Sequence, residues 1–220
     1  MTSNSKDSRL KLLLKIPNWL ILVLSIFAMG LSIYATYNKE IKPFALDVRV
    51  DPHLYMQHKI NFGLYVSIDM QNISPNRGMV TQMVLIMYKA ANPLDKYLIK
   101  FNSFRFKDVD DVWSPTEEQL PIYFLPNQIQ KRTASFIYSL EGNQFPLATG
   151  TYKCELLIWT LANEKADLVR EFTIEITEDL MDTYKEYRNH SSTNLIPLTI
   201  AGYTELKAGK LSEIQYHQLK

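Results

Sequence analysis

Cysteine and glycine are scarce in this 220-residue chain, which has one cysteine and seven glycines. The single cysteine, Cys154, excludes a disulfide within the chain and any metal site built from several thiolates. The glycines form neither a Gly-rich phosphate loop nor a Gly-x-Ser-x-Gly elbow. We therefore expect no catalytic residue, no metal and no cofactor, and the sequence does not indicate an enzyme.

An excess of charge of one sign is also lacking, because 24 basic residues are balanced by 23 acidic ones. Six of the basic and two of the acidic residues precede residue 43, which leaves 18 basic against 21 acidic residues in the remainder. Nucleic-acid binding needs a concentrated basic surface that displaces counterions from phosphates. The nearly neutral remainder does not suggest such a surface, so we expect no nucleic-acid partner.

One long apolar run is present, from Trp19 to Tyr37, and it contains no charged residue. As a helix it would span ~28 Å, close to the ~30 Å hydrocarbon core of a bilayer. Aromatic residues stand near both of its ends, where membrane interfaces favour them. A cleaved signal peptide is the alternative, but its apolar region is shorter, about 7–15 residues. We expect residues 16–37 to contact the lipid bilayer as a single transmembrane helix.

Basic residues flank this run unevenly, with four before it and two after it (Lys6, Arg9, Lys11 and Lys15; Lys39 and Lys42). Membrane proteins retain positive charge on the cytoplasmic side. We therefore expect a cytoplasmic N-terminus, residues 1–15, and an extracytoplasmic main domain, periplasmic or extracellular. No second apolar run of this length follows in the sequence, so we expect the chain to cross once.

Beyond the run, apolar and polar residues alternate with the period of two that is typical of β-strands. The alternation is clear at residues 46–50, 64–70 and 168–178. Residues 80–89 are instead apolar on both faces, as expected in the middle of a sheet. The main domain is therefore predicted to be mainly β.

Turn residues separate these strands, for example Asn-Pro at 92–93 and Pro-Asn at 126–127. Ser114, Pro115 and Glu117 have the spacing of a capping box and predict one helical turn. About eight closely spaced strands without a helix-length crossover favour an antiparallel β-sandwich.

Three stretches resemble strands of immunoglobulin-like and fibronectin-type-III-like domains: YVSIDMQNIS (65–74), YFLPNQIQKRTASFIYSL (123–140) and FPLATGTYKCELLIW (145–159). The resemblance implies an Ig-like β-sandwich over residues 44–178, at the level of fold. It also implies that Tyr152, two residues before the cysteine, braces the preceding corner through its hydroxyl. Because the disulfide of antibody domains is missing, stability must come from apolar burial.

Residues 179–220 lose the period of two, and we expect them to form a short irregular or helical extension after the sandwich. Leu180, Tyr184 and Tyr187 have the spacing of a short helix. For the last residues two alternatives stay open, a further helix or a loosely ordered tail.

Few side chains form patterns that could carry chemistry. The four histidines lack the spacing that places two metal ligands on one helical face. Asp108, Asp110 and Asp111 lack the glycine of a calcium-binding turn, and we interpret them as a solvated acidic loop. Cys154 alternates with Tyr152 and is expected to point inward as a small apolar residue.

The outer face of the strand around Cys154 raises a further question. If Cys154 points inward, Leu157 and Trp159 point outward, and Tyr65 on a strand expected to neighbour it does likewise. An apolar patch outside a sandwich must be covered by residues 194–203, by a partner or by the membrane surface. We predict Tyr65, Leu157 and Trp159 as a candidate interaction surface.

Together these features predict a non-enzymatic, single-pass membrane protein. Its exported β-domain would contact a protein partner in an envelope or surface assembly. The alternative is a membrane-anchored ligand- or glycan-binding module that uses loop aromatics such as Trp113 and Tyr123.

Overall fold

The computed structural model describes residues 17–37, 43–57, 61–108, 112–138, 145–160, 166–189 and 195–206. The chain divides into two compact units, Met1–Pro43 and Phe44–Lys220. The first contains a helix, and the second contains the β-domain.

The helix of the first unit is α1 (Asn18–Thr36). It begins directly after Pro17, whose carbonyl accepts hydrogen bonds from the N–H groups of Leu20 and Ile21. Its 19 residues are long and apolar enough to cross a membrane, and it is the one such helix in the described part of the chain. The predicted apolar helix is confirmed. Its insertion into a membrane, and the side on which the main domain lies, stay predictions.

The second unit is mainly β, as predicted. Its strands in the described residues are β1 (Leu46–Gln57), β2 (Gly63–Asn72), β3 (Gly78–Val80), β4 (Gln82–Lys89), β5 (Tyr97–Lys107), β6 (Trp113–Pro115), β7 (Ile122–Phe124), β8 (Ile129–Ile137), β9 (Gly150–Trp159), β10 (Leu168–Ile176) and β11 (Ile196–Leu206). A second helix, α2 (Glu178–Asn189), lies between β10 and β11 in the chain.

Eight of these strands form one closed antiparallel sheet, in the order β4-β9-β10-β11-β1-β2-β8-β5, and β5 pairs again with β4. The ring closes through β5, because Tyr97–Lys100 pair with β4 while Lys100–Arg105 pair with β8. β6 pairs with the end of β5, and β3 and β7 form a separate two-stranded sheet. A closed sheet offers no long edge for aggregation with other chains.

The predicted Ig-like sandwich is therefore corrected to a closed, barrel-like sheet. The difference comes from β11, which belongs to the residues that the sequence assigns to an extension after the domain. β11 pairs with β1 through Ile196–Thr199 and with β10 from Ile200 onward, and so joins the two strands. Its alternation of Ile196, Leu198 and Ile200 is weakened as a strand signal by Pro197. The helix predicted from the spacing of Leu180, Tyr184 and Tyr187 is confirmed as α2.

A single large cluster of apolar side chains fills the inside of the closed sheet. The alternating residues predicted to face the core are buried there, among them Leu64, Val66, Ile68 and Met70. An interior of this width is filled by side chains in eight-stranded barrels generally. Burial of these residues supplies the main stabilisation of the domain.

Tyr152 and Cys154 both lie in this core, as predicted. The N–H of Ala148 donates a hydrogen bond to the Tyr152 hydroxyl oxygen at 3.0 Å, which confirms the predicted brace at the preceding corner. Burial raises the pKa of the Cys154 thiol well above its ordinary value, so the side chain stays protonated and unreactive.

The helical turn predicted from Ser114, Pro115 and Glu117 is wrong. The first two residues belong to β6, in which Ser114 pairs with Phe106 of β5. The neighbouring Trp113 ring lies 5.2 Å from the ring of Tyr55, measured between centroids. This pairing and aromatic packing outweigh the local capping preference, which is worth only about 1 kcal/mol.

A buried arginine joins β10 to β1 across the strand between them. Arg170 Nε donates to the carbonyl oxygen of Val48 at 2.7 Å, and its Nη2 lies 3.5 Å from Asp47 Oδ1. The same carboxylate is 3.4 Å from Arg49, but the Arg49 side chain is 74% exposed whereas that of Arg170 is 8% exposed. The two arginines are thus a matched pair, one buried and one in solvent.

We expect Arg170→Met to lower the free energy of unfolding by about 1.5–3 kcal/mol, because it removes the charged donor that the Val48 carbonyl accepts from and the ion pair with the partly exposed Asp47. Arg49→Met should change it by less than about 1 kcal/mol, as is usual for exposed pairs. Urea denaturation of the full chain in detergent micelles measures both. Equal effects of the two substitutions would show that Arg170 does not hold β10 against β1.

The core positions of Tyr152 and Cys154 predict opposite tolerance to substitution. Tyr152→Ala should cost about 3–5 kcal/mol of unfolding free energy, since it empties a fully buried aromatic site. Tyr152→Phe should cost about 1 kcal/mol for the lost hydrogen bond. Cys154→Val replaces one small apolar side chain by another and should cost less than about 1.5 kcal/mol. A larger loss for Cys154→Val than for Tyr152→Ala in the same denaturation assay would contradict this placement.

Candidate functional site

Leu157 and Trp159 lie on the outer face of β9, opposite the core side chain of Cys154. They belong to a second apolar cluster, together with Val84 and Ile86 of the neighbouring strand β4. Leu157 is 1% exposed and Trp159 is 0% exposed. The face assignment made from the sequence is therefore confirmed. A role of these two residues in partner contact stays a prediction, and they are buried in this structure.

Tyr65 lies elsewhere on the barrel. It belongs to β2, and three strands separate β2 from β9 in either direction around the closed sheet. Its ring contacts that of Trp113 at 5.7 Å between centroids, and the guanidinium carbon of Arg105 lies 5.6 Å from the ring centroid. The structure thus does not bring Tyr65 together with Leu157 and Trp159. The chain's own β5 and β6 residues cover it.

A buried carboxylate that sequence reasoning missed lies beside Leu157. Glu155 accepts a hydrogen bond from the Tyr88 hydroxyl at 2.9 Å and lies 3.2 Å from Lys96 Nζ. Burial and the neighbouring carboxylate raise the pKa of Tyr88, so its hydroxyl stays protonated and continues to donate. Lys96 also lies 4.9 Å from the centroid of the Tyr88 ring. The three groups satisfy one another, which indicates a structural cluster.

Metal chemistry finds no support in the described residues, where no group of three or more His, Cys, Asp and Glu side chains could hold an ion. Asp108 accepts a hydrogen bond from the N–H of Val112 at 2.9 Å. Asp110 and Asp111 lie outside the described residues, as do three of the four histidines. The fourth, His53, is exposed and lies 3.3 Å from the partly buried carboxylate of Asp51.

An exposed apolar surface occurs at the end of the barrel where β1 begins, which we call the near end. Residues 44–46, 72–80 and 122–129 meet there, since Leu46 pairs with Asn72 and β3 pairs with β7. Four large apolar side chains of these segments are more than half exposed, and we call them the apolar rim: Ile73 (54%), Tyr123 (70%), Leu125 (55%) and Ile129 (64%).

The buried side chain of Asn72 holds the backbone of the rim together. Its amide nitrogen donates to the carbonyl oxygens of Asn76 and Leu125, at 2.8 and 2.9 Å. Its amide oxygen accepts hydrogen bonds from the N–H and the hydroxyl of Ser74. The Asn72 N–H donates to the carbonyl of Gln128 at 2.9 Å. One side chain thereby fixes both turns of the rim, which leaves their apolar side chains directed away from the core.

The rim segments carry very little charge. Residues 72–80 and 121–130 contain no carboxylate, and their one charged residue is Arg77, which is exposed. Exposed apolar groups of this size grouped at one place mark interaction sites more often than single exposed residues do. The rim is therefore the candidate functional surface of the domain.

The two aromatic residues predicted for ligand binding have different surroundings. Tyr123 belongs to the rim and is exposed, whereas Trp113 packs against Tyr55 and Tyr65 on the barrel wall. The glycan-binding alternative stays a prediction. The sequence does contain a signal for the rim. Turns are normally polar, and the apolar residues Ile73, Leu125 and Ile129 stand next to turn residues.

We expect Asn72→Asp to destabilise the near end strongly. The substitution replaces two donated hydrogen bonds by a buried carboxylate that faces the carbonyls of Asn76 and Leu125, a change of about 3 kcal/mol or more. Asn61→Asp is the matched control, because Asn61 is exposed. Thermal unfolding should show a clear loss of Tm for the first variant and a small change for the second. Equal Tm values would contradict the role of Asn72.

Comparison with known proteins gives no relative for this chain. No protein-family model matches it, and neither a curated protein nor a solved structure does so. What the near end binds must therefore be argued from its own residues.

Proposed function

We propose that the chain is a non-enzymatic, single-pass membrane protein whose exported barrel contacts a protein partner in an envelope or surface assembly. α1 anchors the chain, residues 1–15 remain cytoplasmic, and the barrel lies on the other side, in the periplasm or outside the cell. The uneven basic flanks of α1 support this orientation.

The filled interior of the barrel carries the proposal. Side chains from the closed sheet form one continuous apolar core, so the surface of the domain is what it offers to other molecules. A membrane-length helix before such a domain is typical of a tethered binding module. Its partner then meets the barrel wall or one of its two ends.

The end opposite the rim, which we call the far end, supports contact with a protein. There the turn between β4 and β5 holds Leu94 at 90% exposure. Two hydrogen bonds order this turn: the Asn92 N–H donates to the Lys89 carbonyl at 2.9 Å, and its side chain donates to Asp95 at 2.6 Å. A fixed, exposed leucine can insert into a partner's pocket at little cost in conformational entropy.

Site-specific photo-cross-linking in living cells tests the proposal. With p-benzoylphenylalanine in place of Leu94, we expect one discrete adduct that mass spectrometry assigns to a membrane or exported protein. The same group in place of Arg49, which is exposed on the barrel wall, is the control and should give no such adduct. The reciprocal cross-link from the partner should return to the far end. Absence of any discrete adduct from Leu94 would count against a protein partner at this end.

A further inference from the structure

We propose that the apolar rim docks onto the surface of the bilayer that holds α1. Tyr123, Leu125 and Ile129 would enter the boundary between headgroups and acyl chains, and Arg77 would lie among the lipid phosphates. The inference rests on the membrane anchoring that is part of the proposed function. It adds a second lipid contact, made by the barrel itself.

The short stretch of chain between α1 and the barrel supports the bilayer as the surface that the rim contacts. Residues 38–43 link Tyr37 to Phe44, and a chain of this length reaches at most about 25 Å. The far end lies further away by the height of the barrel, about 25 Å for ten-residue strands such as β9 at the usual tilt of about 40°. The near end, where the chain enters the barrel, is therefore the end that the link can keep beside the bilayer.

The first residue of the barrel unit is attached directly to the strands of the rim. The Phe44 ring packs against Gly78 of β3, where an added side chain would collide with it. The same ring lies 6.3 Å from the ring of Phe124 in β7, measured between centroids. The N–H of Ile73 donates to the carbonyl of Ala45 at 2.9 Å. The link from α1 thus ends on the strands of the rim.

The composition of the rim fits a lipid interface. Aliphatic side chains gain free energy by leaving water, and Tyr places its ring in the apolar boundary with its hydroxyl in the headgroup layer. The rim segments contain no carboxylate that would be repelled by anionic headgroups, and Arg77 adds attraction to them. The exposed turn at the far end carries Asp95 beside Leu94. At the near end, Asp108 lies in the turn between β5 and β6, outside the rim segments.

The backbone that carries the rim side chains is also held in place. The hydrogen bonds of Asn72 hold the turn after β2 against the turn before β8. Little backbone conformational entropy therefore remains to be lost when the rim enters the interface.

Spin labelling of the full chain in vesicles of phosphatidylcholine and phosphatidylglycerol tests the inference. Leu125→Cys and Ile129→Cys place a nitroxide on the rim, and Leu94→Cys places one at the far end as the matched exposed control. Phe27→Cys labels the middle of α1. The native Cys154 is buried and does not take up the label under native conditions. Collision rates with oxygen and with a water-soluble nickel complex then report the depth of each label.

We expect the ratio of oxygen to nickel collisions to be several-fold higher at positions 125 and 129 than at position 94. Adding Tyr123→Ser to the labelled chain should lower the ratio at position 125. Rim labels that match the water-exposed label at position 94, while the label at position 27 is immersed, would overturn the inference and leave the anchoring intact. A water-exposed label at position 27 would overturn both.

The experiment must also distinguish a rim that contacts lipid from a rim that packs against a second copy of the chain. If two rims packed against each other, nitroxides at position 125 would broaden one another's spectra, and dilution of the protein with additional lipid would dissociate the pair and restore nickel access. That result would overturn lipid docking. Low nickel access that persists on dilution supports it.

Discussion

The pairing of β11 with both β1 and β10 is the constraint on which the rest of the barrel depends. Without this strand, the sheet would end at β10 on one side and at β1 on the other, with two rows of backbone groups unpaired. The residues that fill the gap come from the end of the described chain, after α2. The first strand and the last thus meet, and Arg170 reinforces the contact by reaching from β10 to the carbonyl of Val48. The domain closes only when nearly all of its sequence has come together, a topology that generally folds slowly.

Most individual strands could be predicted from the sequence because their burial follows a local period of two. Leu64 to Met70 and the core residues around Cys154 are examples in which the pattern and the structure agree. The partner of each strand could not be predicted in this way, since pairing depends on residues far apart in the chain. For that reason the local alternation does not predict the pairing of β11, and a closed sheet has the same local signals as a sandwich. The capping pattern that begins at Ser114 does not form a helical turn, because a capping preference is weaker than the packing of Trp113 on Tyr55.

The candidate site shows the same division between local and distant effects. The sequence correctly placed Leu157 and Trp159 on the outer face of β9, but it did not show that both are buried. Tyr65 is also covered, by Trp113 and Arg105 of a hairpin whose position depends on tertiary structure. The aromatic side chains of the strands thus pack within the domain. The exposed apolar groups lie in turns, where Asn72 holds the backbone, and the alternation that predicts strand faces does not extend into turns.

The proposed anchor and rim would support each other through effective concentration. A patch of four apolar side chains binds a bilayer weakly and reversibly when its domain is free in solution. Attached to a membrane-inserted α1 through residues 38–43, the same patch would be confined within a few nanometres of lipid, so that even a weak affinity would keep it bound for much of the time. The proposed contact would in turn orient the barrel and leave Leu94 at the end away from the membrane. A short link and a modest apolar rim would then together direct the proposed partner-binding surface outward.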